Sequence, residues 1–196
     1  NDGLLTSAGN FTIGRNSQNG LPETVTSGGF SLTRGFSGYG ETDSETYTVG
    51  GQNVFGNAVV MRDSGGRIRT KTETIGGTDT GYVYNYDDMG RLRTVTKDGT
   101  LVEEYRYDAA GTRNYEMNTL RNITRNSITY RADDGLLNTG DASYQHDADG
   151  FLTTKTVGTD VTDYDYSSRG ELLSVTLHQG TAQQKVIDYV HDPLGR

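Results

Sequence analysis

Tyr82-Val83-Tyr84-Asn85-Tyr86-Asp87-Asp88-Met89-Gly90-Arg91-Leu92 is the stretch that decides the fold of this chain. Its three tyrosines alternate, so all of them project from one face of an extended strand. Asp87 and Gly90 are the first and fourth residues of a turn. The Asp side chain accepts backbone bonds there, and Gly supplies the positive φ that leads into a bulged hairpin. The β-branched residues up to Thr96 then suit a second strand. The stretch therefore predicts strand, turn and strand, with no reactive constellation.

The same unit recurs along the chain. Turn glycines that precede a short strand follow one another at intervals of 15 to 25 residues, at Gly66, Gly90, Gly111, Gly135, Gly150, Gly170 and Gly195. Such spacing lies at the low end of the periods that indicate repeat arrays. The residues assigned to the structural repeat motif are Tyr84, Tyr86, Asp87, Gly90, Arg91, Leu92, Tyr105, Tyr107, Asp108, Gly111, Asp147, Gly150, Tyr166, Gly170, Asp192 and Gly195. No stretch shows an apolar period of 3.6, so the chain is predicted to be all-β, built of tandem hairpins.

The composition predicts an ordered sheet with a thin or shared core. Leu, Ile, Val and Phe together account for 38 of 196 residues and the formal net charge is −8, values that approach those of disordered chains. However, 13 Tyr and 28 Thr, both good strand residues, fall at regular places.

Several classes of protein are disfavoured by the sequence alone. The sequence contains no run of 18 apolar residues, so it predicts no membrane span. Its net negative charge argues against nucleic-acid binding. The absence of Cys excludes disulfides and thiolate metal sites. Residues 1–65 are predicted to be degenerate repeats and 66–196 regular ones. The register of residues 28–60 is not assigned by the pattern, and both ends are expected to be cut from a longer protein.

Closely spaced acidic residues are candidates for catalytic or metal sites. A calcium loop starting at Asp147 would require Glu at position 158, where the chain has Gly. Neighbouring carboxylates such as Asp87-Asp88 and Glu103-Glu104 point to opposite faces of a strand, so neither pair forms a glycosidase dyad. These acids are interpreted as turn caps and solvated strand residues. We expect no catalytic residue, cofactor or metal.

A basic strand is the one candidate ligand site. Arg62, Arg67, Arg69 and Lys71 could contact an anionic glycan, although Asp63 and Glu73 nearby favour a solvated strand face. The three histidines, His146, His178 and His191, are dispersed, and two of them replace Tyr in the repeat, which indicates packing. Asn10-Phe11-Thr12 and Asn122-Ile123-Thr124 match the N-glycosylation sequon, which has meaning only in a eukaryotic secretory pathway.

The motif Tyr-x-Tyr-Asp-x-x-Gly-Arg-Leu at 84–92 resembles the signature of the YD repeats, also called RHS repeats. This family includes bacterial polymorphic toxins, insecticidal toxin-complex C components, wall-associated proteins and teneurins. The resemblance covers residues 66–196 and, more weakly, the part before them. Departures occur at Arg131 and Ser167, which replace Asp, and at His146 and His191, which replace Tyr. They are expected to weaken the local register.

The resemblance implies a ribbon of strands that spirals into a hollow β-shell around a C-terminal polypeptide. The expected function is therefore that of a non-catalytic shell segment that encapsulates or displays a toxin or another polypeptide, in a secreted or cell-surface protein. Its partners would be the rest of the shell and the enclosed chain. The alternatives are an adhesion module that binds surface carbohydrate through Tyr and Arg or Lys, and a polysaccharide-degrading β-solenoid, which would need an acid cluster in one groove.

Overall fold

Nineteen β-strands and one turn of 3₁₀ helix form the part of the chain that the structure, a computed structural model, describes, residues 3–192. The all-β prediction is confirmed. The strands of the first half are β1 Ser7–Ala8, β2 Phe11–Arg15, β3 Pro22–Ser27, β4 Phe30–Phe36, β5 Thr42–Val49, β6 Gln52–Arg62, β7 Ile68–Ile75, β8 Thr78–Tyr86, β9 Leu92–Lys97 and β10 Thr100–Tyr107.

The second half begins with β11 Arg113–Asn118, the 3₁₀ turn Thr119–Arg121 and β12 Ile123–Arg125. It continues with β13 Thr129–Tyr130, β14 Leu136–Asn138, β15 Ser143–His146, β16 Leu152–Val157, β17 Asp160–Tyr166, β18 Leu172–Gln179 and β19 Ala182–Asp188. The chain divides into two compact units, residues 1–103 and 104–196, and β10 spans that boundary. This division reflects how compactly each unit packs. The predicted boundary after residue 65 separates degenerate from regular repeats, which is a different property.

Each strand pairs antiparallel with its neighbours in sequence. β1 to β9 follow one another in the first unit, while β11 pairs with β12 and β13 to β19 form a seven-stranded sheet in the second. Some hairpins close through two residues that both have positive φ, such as Gly50-Gly51, Gly76-Gly77 and Asp98-Gly99. This geometry matches the right-handed twist of the flanking strands, which explains the Gly and Asp-Gly pairs.

A β-bulge follows the repeat turns. Tyr86 pairs with Leu92 but Asn85 pairs with Thr94, so Arg93 is an extra residue. The same one-residue shift leaves Glu23, Asp43, Arg69, Leu137, Thr153 and Leu173 as extra residues elsewhere. Because a bulge reverses the alternation of faces, Leu92 and Val95, three residues apart, both lie on the face of their partners Tyr86 and Tyr84.

One face of each sheet holds the apolar residues. Leu32 lies opposite Tyr47, Val95 opposite Tyr84 and Val175 opposite Tyr164, and the three aliphatic side chains are 6%, 4% and 9% exposed. Among the described residues, no side chain is less than 2% exposed. Within each unit the described core is therefore thin, with buried aliphatic side chains opposite tyrosines, as the composition predicts.

The other face carries threonine ladders. Thr24 pairs with Thr33 and Thr33 with Thr46, so that their hydroxyls and methyls share one surface. Gly56 continues the row between Thr46 and Thr74, and a Cβ at Gly56 would lie 3.3 Å from the Thr74 Cβ. Cross-strand pairs of this kind each stabilise a sheet by roughly 0.2–1 kcal/mol relative to Ala–Ala. The sheet is therefore held by many small contributions.

The structure corrects the assignment of one turn glycine. Asp134, with φ of 64°, occupies the fourth position of the turn that begins at Arg131, and Gly135 is the fifth residue. Asp tolerates the left-handed conformation better than most residues, so the turn forms without Gly there. Gly195 lies outside the described residues.

The region 28–60 is also regular. Its register follows from the turn Ser37–Gly40, whose flanking strands pair over seven positions. The turns at Ser167 and Arg131 both keep the backbone bonds of the standard turn. The strands that flank Ser167 pair at seven positions, so the expected weakening of register is wrong there, whereas the strands that flank Arg131 pair at only two.

Candidate functional site

The repeat turn is the element that the chain builds again and again. We number it from Tyr86 as position 0 and Asp87 as position 1, through Gly90 as position 4, to Arg91 and Leu92 as positions 5 and 6. In seven turns, which begin at Ser37, Asp63, Asp87, Asp108, Arg131, Asp147 and Ser167, the N–H of position 1 donates to the carbonyl of position 5 over 2.7–3.0 Å. The N–H of position 4 donates to the carbonyl of position 1 over 2.9–3.3 Å.

The side chain at position 1 caps the turn. Asp87 Oδ1 accepts from the N–H groups of Met89 and Arg91 at 3.0 and 2.9 Å, and Asp87 Oδ2 lies 2.7 Å from Arg91 Nε. Partial desolvation works to raise the pKa of Asp87, but the N–H and guanidinium of Arg91 outweigh it and hold that pKa below its usual value. The Asp and Arg of the signature thus act within one turn.

Two turns reach the same result with different chemistry. Ser37 and Ser167 stand at position 1, and each Oγ accepts from the N–H groups of positions 3 and 5 at 3.2 Å. Each Oγ also donates to the Glu at position 5, over 3.3 Å to Glu41 and 2.9 Å to Glu171. Asp with Arg and Ser with Glu are therefore alternative donor–acceptor pairs across the same turn. A motif search for Asp alone misses this second pair.

The tyrosine at position 0 joins its repeat to the preceding one. Tyr86 Oη donates to the carbonyl of Ile68 at 2.8 Å, and Tyr130 Oη donates to the carbonyl of Arg113 at 2.9 Å. Ile68 and Arg113 both occupy position 6 of the preceding repeat. The same hydrogen bond thus recurs in both units, and it requires the phenol that distinguishes Tyr from Phe.

The position 5 side chain also reaches the next repeat. The Arg67 guanidinium lies 4.7 Å from the centre of the Tyr86 ring and against the backbone of Gly90. Phe151 stacks on Tyr166 with ring centroids 5.1 Å apart. A Cβ at Gly170 would be 2.6 Å from Phe151 Cζ. The turn glycine consequently serves two purposes, a positive φ and room for the neighbouring repeat.

The remaining motif residues lie in the same kinds of turn. Asp108 Oδ1 accepts from Thr112 N at 2.9 Å, and Asp147 Oδ1 accepts from the N–H groups of Asp149 and Phe151 at 3.0 and 2.9 Å. Gly111 and Gly150 have φ of 93° and 90° at position 4. The Tyr105 ring lies 5.5 Å from the Arg113 guanidinium. Tyr107 precedes its turn at position 0, and Asp192 is the last residue that the structure describes.

Three of the four basic candidates meet in an open groove of about 560 Å³ in the first unit. Arg62, Arg67 and Lys71 line it together with Tyr84, Tyr86, Asn57, Ile68, Leu92 and Gly66. Arg69 does not, because it is the extra residue of a bulge and its Nη2 donates to Asn85 Oδ1 at 3.2 Å. Sequence reasoning missed Asn57, whose buried Oδ1 has no hydrogen-bond partner.

Each cation of the groove already has a carboxylate. Arg62 Nε lies 3.3 Å from Asp43 Oδ1, Arg67 Nε lies 2.8 Å from Asp63 Oδ2, and Lys71 Nζ lies 3.5 Å from Glu73 Oε2. The groove therefore does not present a concentrated positive charge. Desolvation is the main cause that raises the pKa of Tyr84 to about 12, so the phenol stays neutral over the physiological range.

Two of the histidines lie on strands of the second unit, His146 on β15 and His178 on β18. His178 Nε2 lies 3.1 Å from Asp163 Oδ2, and His146 stands at position 0. Within residues 3–192, no group of three or more His, Cys, Asp and Glu side chains is placed to hold a metal ion. No helix among the described residues is long and apolar enough to cross a membrane.

Two solved structures match most of this chain. The crystal structure of TcdB2-TccC3 has 13% sequence identity, a TM-score of 0.48, and a match that covers 94% of this chain and 11% of that one. The Photorhabdus luminescens Tc holotoxin pore with the TccC3 mutation D651A gives 13% identity, a TM-score of 0.47 and the same two coverages.

Curated relatives are more similar in sequence. Teneurin-3 of Mus musculus is 31% identical over 139 residues, which are 70% of this chain and 5% of the relative. Teneurin-4 of Homo sapiens is 28% identical over 179 residues, 90% of this chain and 6% of the relative. The chain thus spans only a small part of the proteins it matches. The model of the family described as Teneurin YD-shell matches residues 1–196. This chain belongs to the Teneurin YD-shell family.

Proposed function

We propose that the chain is a non-catalytic wall segment of a larger β-shell that encapsulates or displays a toxin or another C-terminal polypeptide. The observation that carries this proposal is the recurring bond from a position 0 tyrosine to the preceding repeat, from Tyr86 to Ile68 and from Tyr130 to Arg113. A hairpin alone is marginally stable, and such contacts stabilise each hairpin through its neighbour. Repeats coupled in this way suit a wall that has to stay intact without a thick core.

The composition of the two faces supports the same role. The tyrosine face carries half-buried ion pairs such as Arg34–Glu45 at 2.6 Å and Lys71–Glu73 at 3.5 Å beside its aliphatic row. The opposite face carries threonine. A wall with two largely polar faces can contact water or another polypeptide on either side without a large apolar patch. Secretion or display at a cell surface is part of this proposal.

Electron microscopy of the intact parent protein tests the proposal. A closed wall with density inside it is expected, with the 196 residues placed as successive hairpins in that wall. A parent that forms a solid rod, with no internal space, would refute encapsulation. Proteolysis before and after denaturation adds a second test, because an enclosed polypeptide is cleaved only after the wall is opened.

A second candidate function, carbohydrate binding during adhesion, rests on the groove in the first unit. Tyr84 and Tyr86 offer aromatic surface, and Asn57 also lines the groove. Because the cations are paired, we propose a neutral or weakly charged saccharide as the ligand. On a glycan array, Lys71→Ala should lower binding. Arg69→Ala is the matched control, since Arg69 lies on the same strand but does not line the groove. Equal effects of the two variants, or no saturable binding, would exclude this function.

A further inference from the structure

The second unit contains one poorly paired junction between neighbouring strands, which we call the β14–β15 seam. Strands Leu136–Asn138 and Ser143–His146 share a single paired position, Asn138 with Ser143. By contrast, β15 pairs with β16 at four positions and β17 with β18 at seven. Few ladder bonds mean that local opening costs less here than between the strands from β15 to β19.

Neither of the contacts that Tyr86 and Phe151 make with a neighbouring repeat has a counterpart at this seam, where Arg131 Nη1 instead donates to the carbonyl of Asp147 at 3.4 Å. Position 5 of the preceding turn is Gly135, and nothing lies within 4 Å of where a Cβ at Gly150 would be. The next position 0 holds His146 instead of Tyr, and its buried Nδ1 has no hydrogen-bond partner. At the following junction, Phe151 covers Gly170 and stacks on Tyr166. The seam therefore lacks both contacts that join repeats elsewhere.

An ion-pair network connects the loop between β14 and β15 to strand β12. Arg125 on β12 forms two contacts with Asp141, Nε to Oδ1 at 3.1 Å and Nη2 to Oδ2 at 3.3 Å. Its Nη1 lies 3.3 Å from Oε2 of Glu116, whose side chain is 7% exposed. Thr139, 3% exposed, donates from its Oγ1 to Asp141 Oδ1 at 2.5 Å. Paired, charge-assisted bonds of this kind are among the stronger polar contacts in proteins.

We propose that the β14–β15 seam is a built-in opening point of the second unit, closed by Arg125 bridging Glu116 and Asp141. When the bridge is broken, β13 and β14 separate from β15 to β19 while the rest of the ladder stays paired. This device goes beyond the shell role and does not depend on what the shell encloses. It gives a uniform wall one position at which it can open without unfolding.

Hydrogen exchange of the 196-residue chain, read by mass spectrometry, tests the proposal. Asp141→Asn keeps the shape of the side chain but removes its charge. Because the Asp141 side chain is 52% exposed, amides of residues 136–146 should then exchange roughly threefold faster. Glu45→Gln is the matched control, because Arg34–Glu45 joins two strands paired at seven positions. The control should change exchange in β4 and β5 by less than about twofold. Unchanged exchange at 136–146, or a uniform rise across the second unit, would overturn the proposal.

A restoring variant and a salt series keep the test decisive. Gly135→Arg supplies a position 5 side chain like Arg67, and its Cβ would meet only the side chains of Arg131 and Asp133 at 3.2 and 3.3 Å. In the Asp141→Asn background it should slow exchange at the seam again, and failure to do so would count against the proposal. If Asp141→Asn does not fold, the unsubstituted chain still decides. Raising the salt from about 0.05 to 1 M should speed exchange at 136–146 selectively, and no salt effect there would refute the bridge.

Discussion

Substituting Ala for the glycine at position 4 of two repeat turns separates the two purposes of that residue. Gly150 and Gly170 have similar φ values of 90° and 80°, so Ala suffers comparable backbone strain at both positions. Their surroundings differ. Nothing lies within 4 Å of a Cβ at Gly150, whereas a Cβ at Gly170 would meet three atoms of the Phe151 ring at 2.6, 3.0 and 3.5 Å.

The expected magnitudes follow from these contacts. Left-handed backbone costs a residue with a Cβ roughly 1–2 kcal/mol, which applies to both Gly150→Ala and Gly170→Ala. Gly170→Ala additionally forces Phe151 away from Tyr166, and overpacking of this kind costs about 1–3 kcal/mol more. We therefore expect Gly170→Ala to lower the free energy of unfolding by about 1–3 kcal/mol more than Gly150→Ala.

Equilibrium urea unfolding followed by circular dichroism measures both variants, and a third variant supplies the control. In a Phe151→Ala background the obstructing ring is gone, so Gly170→Ala should then cost no more than Gly150→Ala does. Equal costs of the two glycine variants in the unsubstituted chain would refute the reasoning. So would a Gly170→Ala cost that persists without Phe151, because the contact between repeats would then not be the cause.

Three further predictions concern the first unit. Asp87→Ala removes two backbone bonds and the Arg91 pair, so it should lower the midpoint of urea unfolding, whereas Asp87→Ser should restore most of the backbone part. Because the pKa of Asp87 is lowered in the folded chain, its contribution to the free energy of unfolding should be present above its unfolded pKa near 4 and disappear as the pH falls through the folded pKa. Acid unfolding of the unsubstituted chain and of Asp87→Asn measures this difference. Since the pKa of Tyr84 is raised to about 12, its contribution to the free energy of unfolding should be complete below about pH 10 and decline up to about pH 12. Unfolding measurements on Tyr84→Phe at those pH values should lack this dependence.

The repeat could be predicted from the sequence because its signals are local. Alternating tyrosines, a capping Asp and a turn glycine each act within a few residues, so the hairpin at 82–96 requires no knowledge of the rest of the chain. Ser37 escaped that pattern, and Ser167 was interpreted only as a departure from it, although both hydroxyls perform the same capping with a different partner at position 5. Gly135 was misassigned because Asp134 can adopt the left-handed backbone that the pattern reserves for Gly.

The candidate site depended on contacts that sequence spacing does not encode. The bulge at Arg69 removes that residue from the groove which Arg67 and Lys71 line, and a strict alternation of faces misses such a shift. Asn57 reaches the same groove from the neighbouring strand, where nothing in its local sequence marks it.

The sequence by itself determined the all-β class, the hairpin unit and the thin polar core, since period, turn chemistry and composition act locally. Only the tertiary structure decided which repeats contact their neighbours through side chains. The hydroxyl of Tyr86 and the ring of Phe151 act on residues of adjacent repeats, whose distance depends on strand register, and the Arg125 bridge joins residues 16 positions apart along the chain. The physical reason is that register and bulges are set by all the strands together, and they determine which side chains meet.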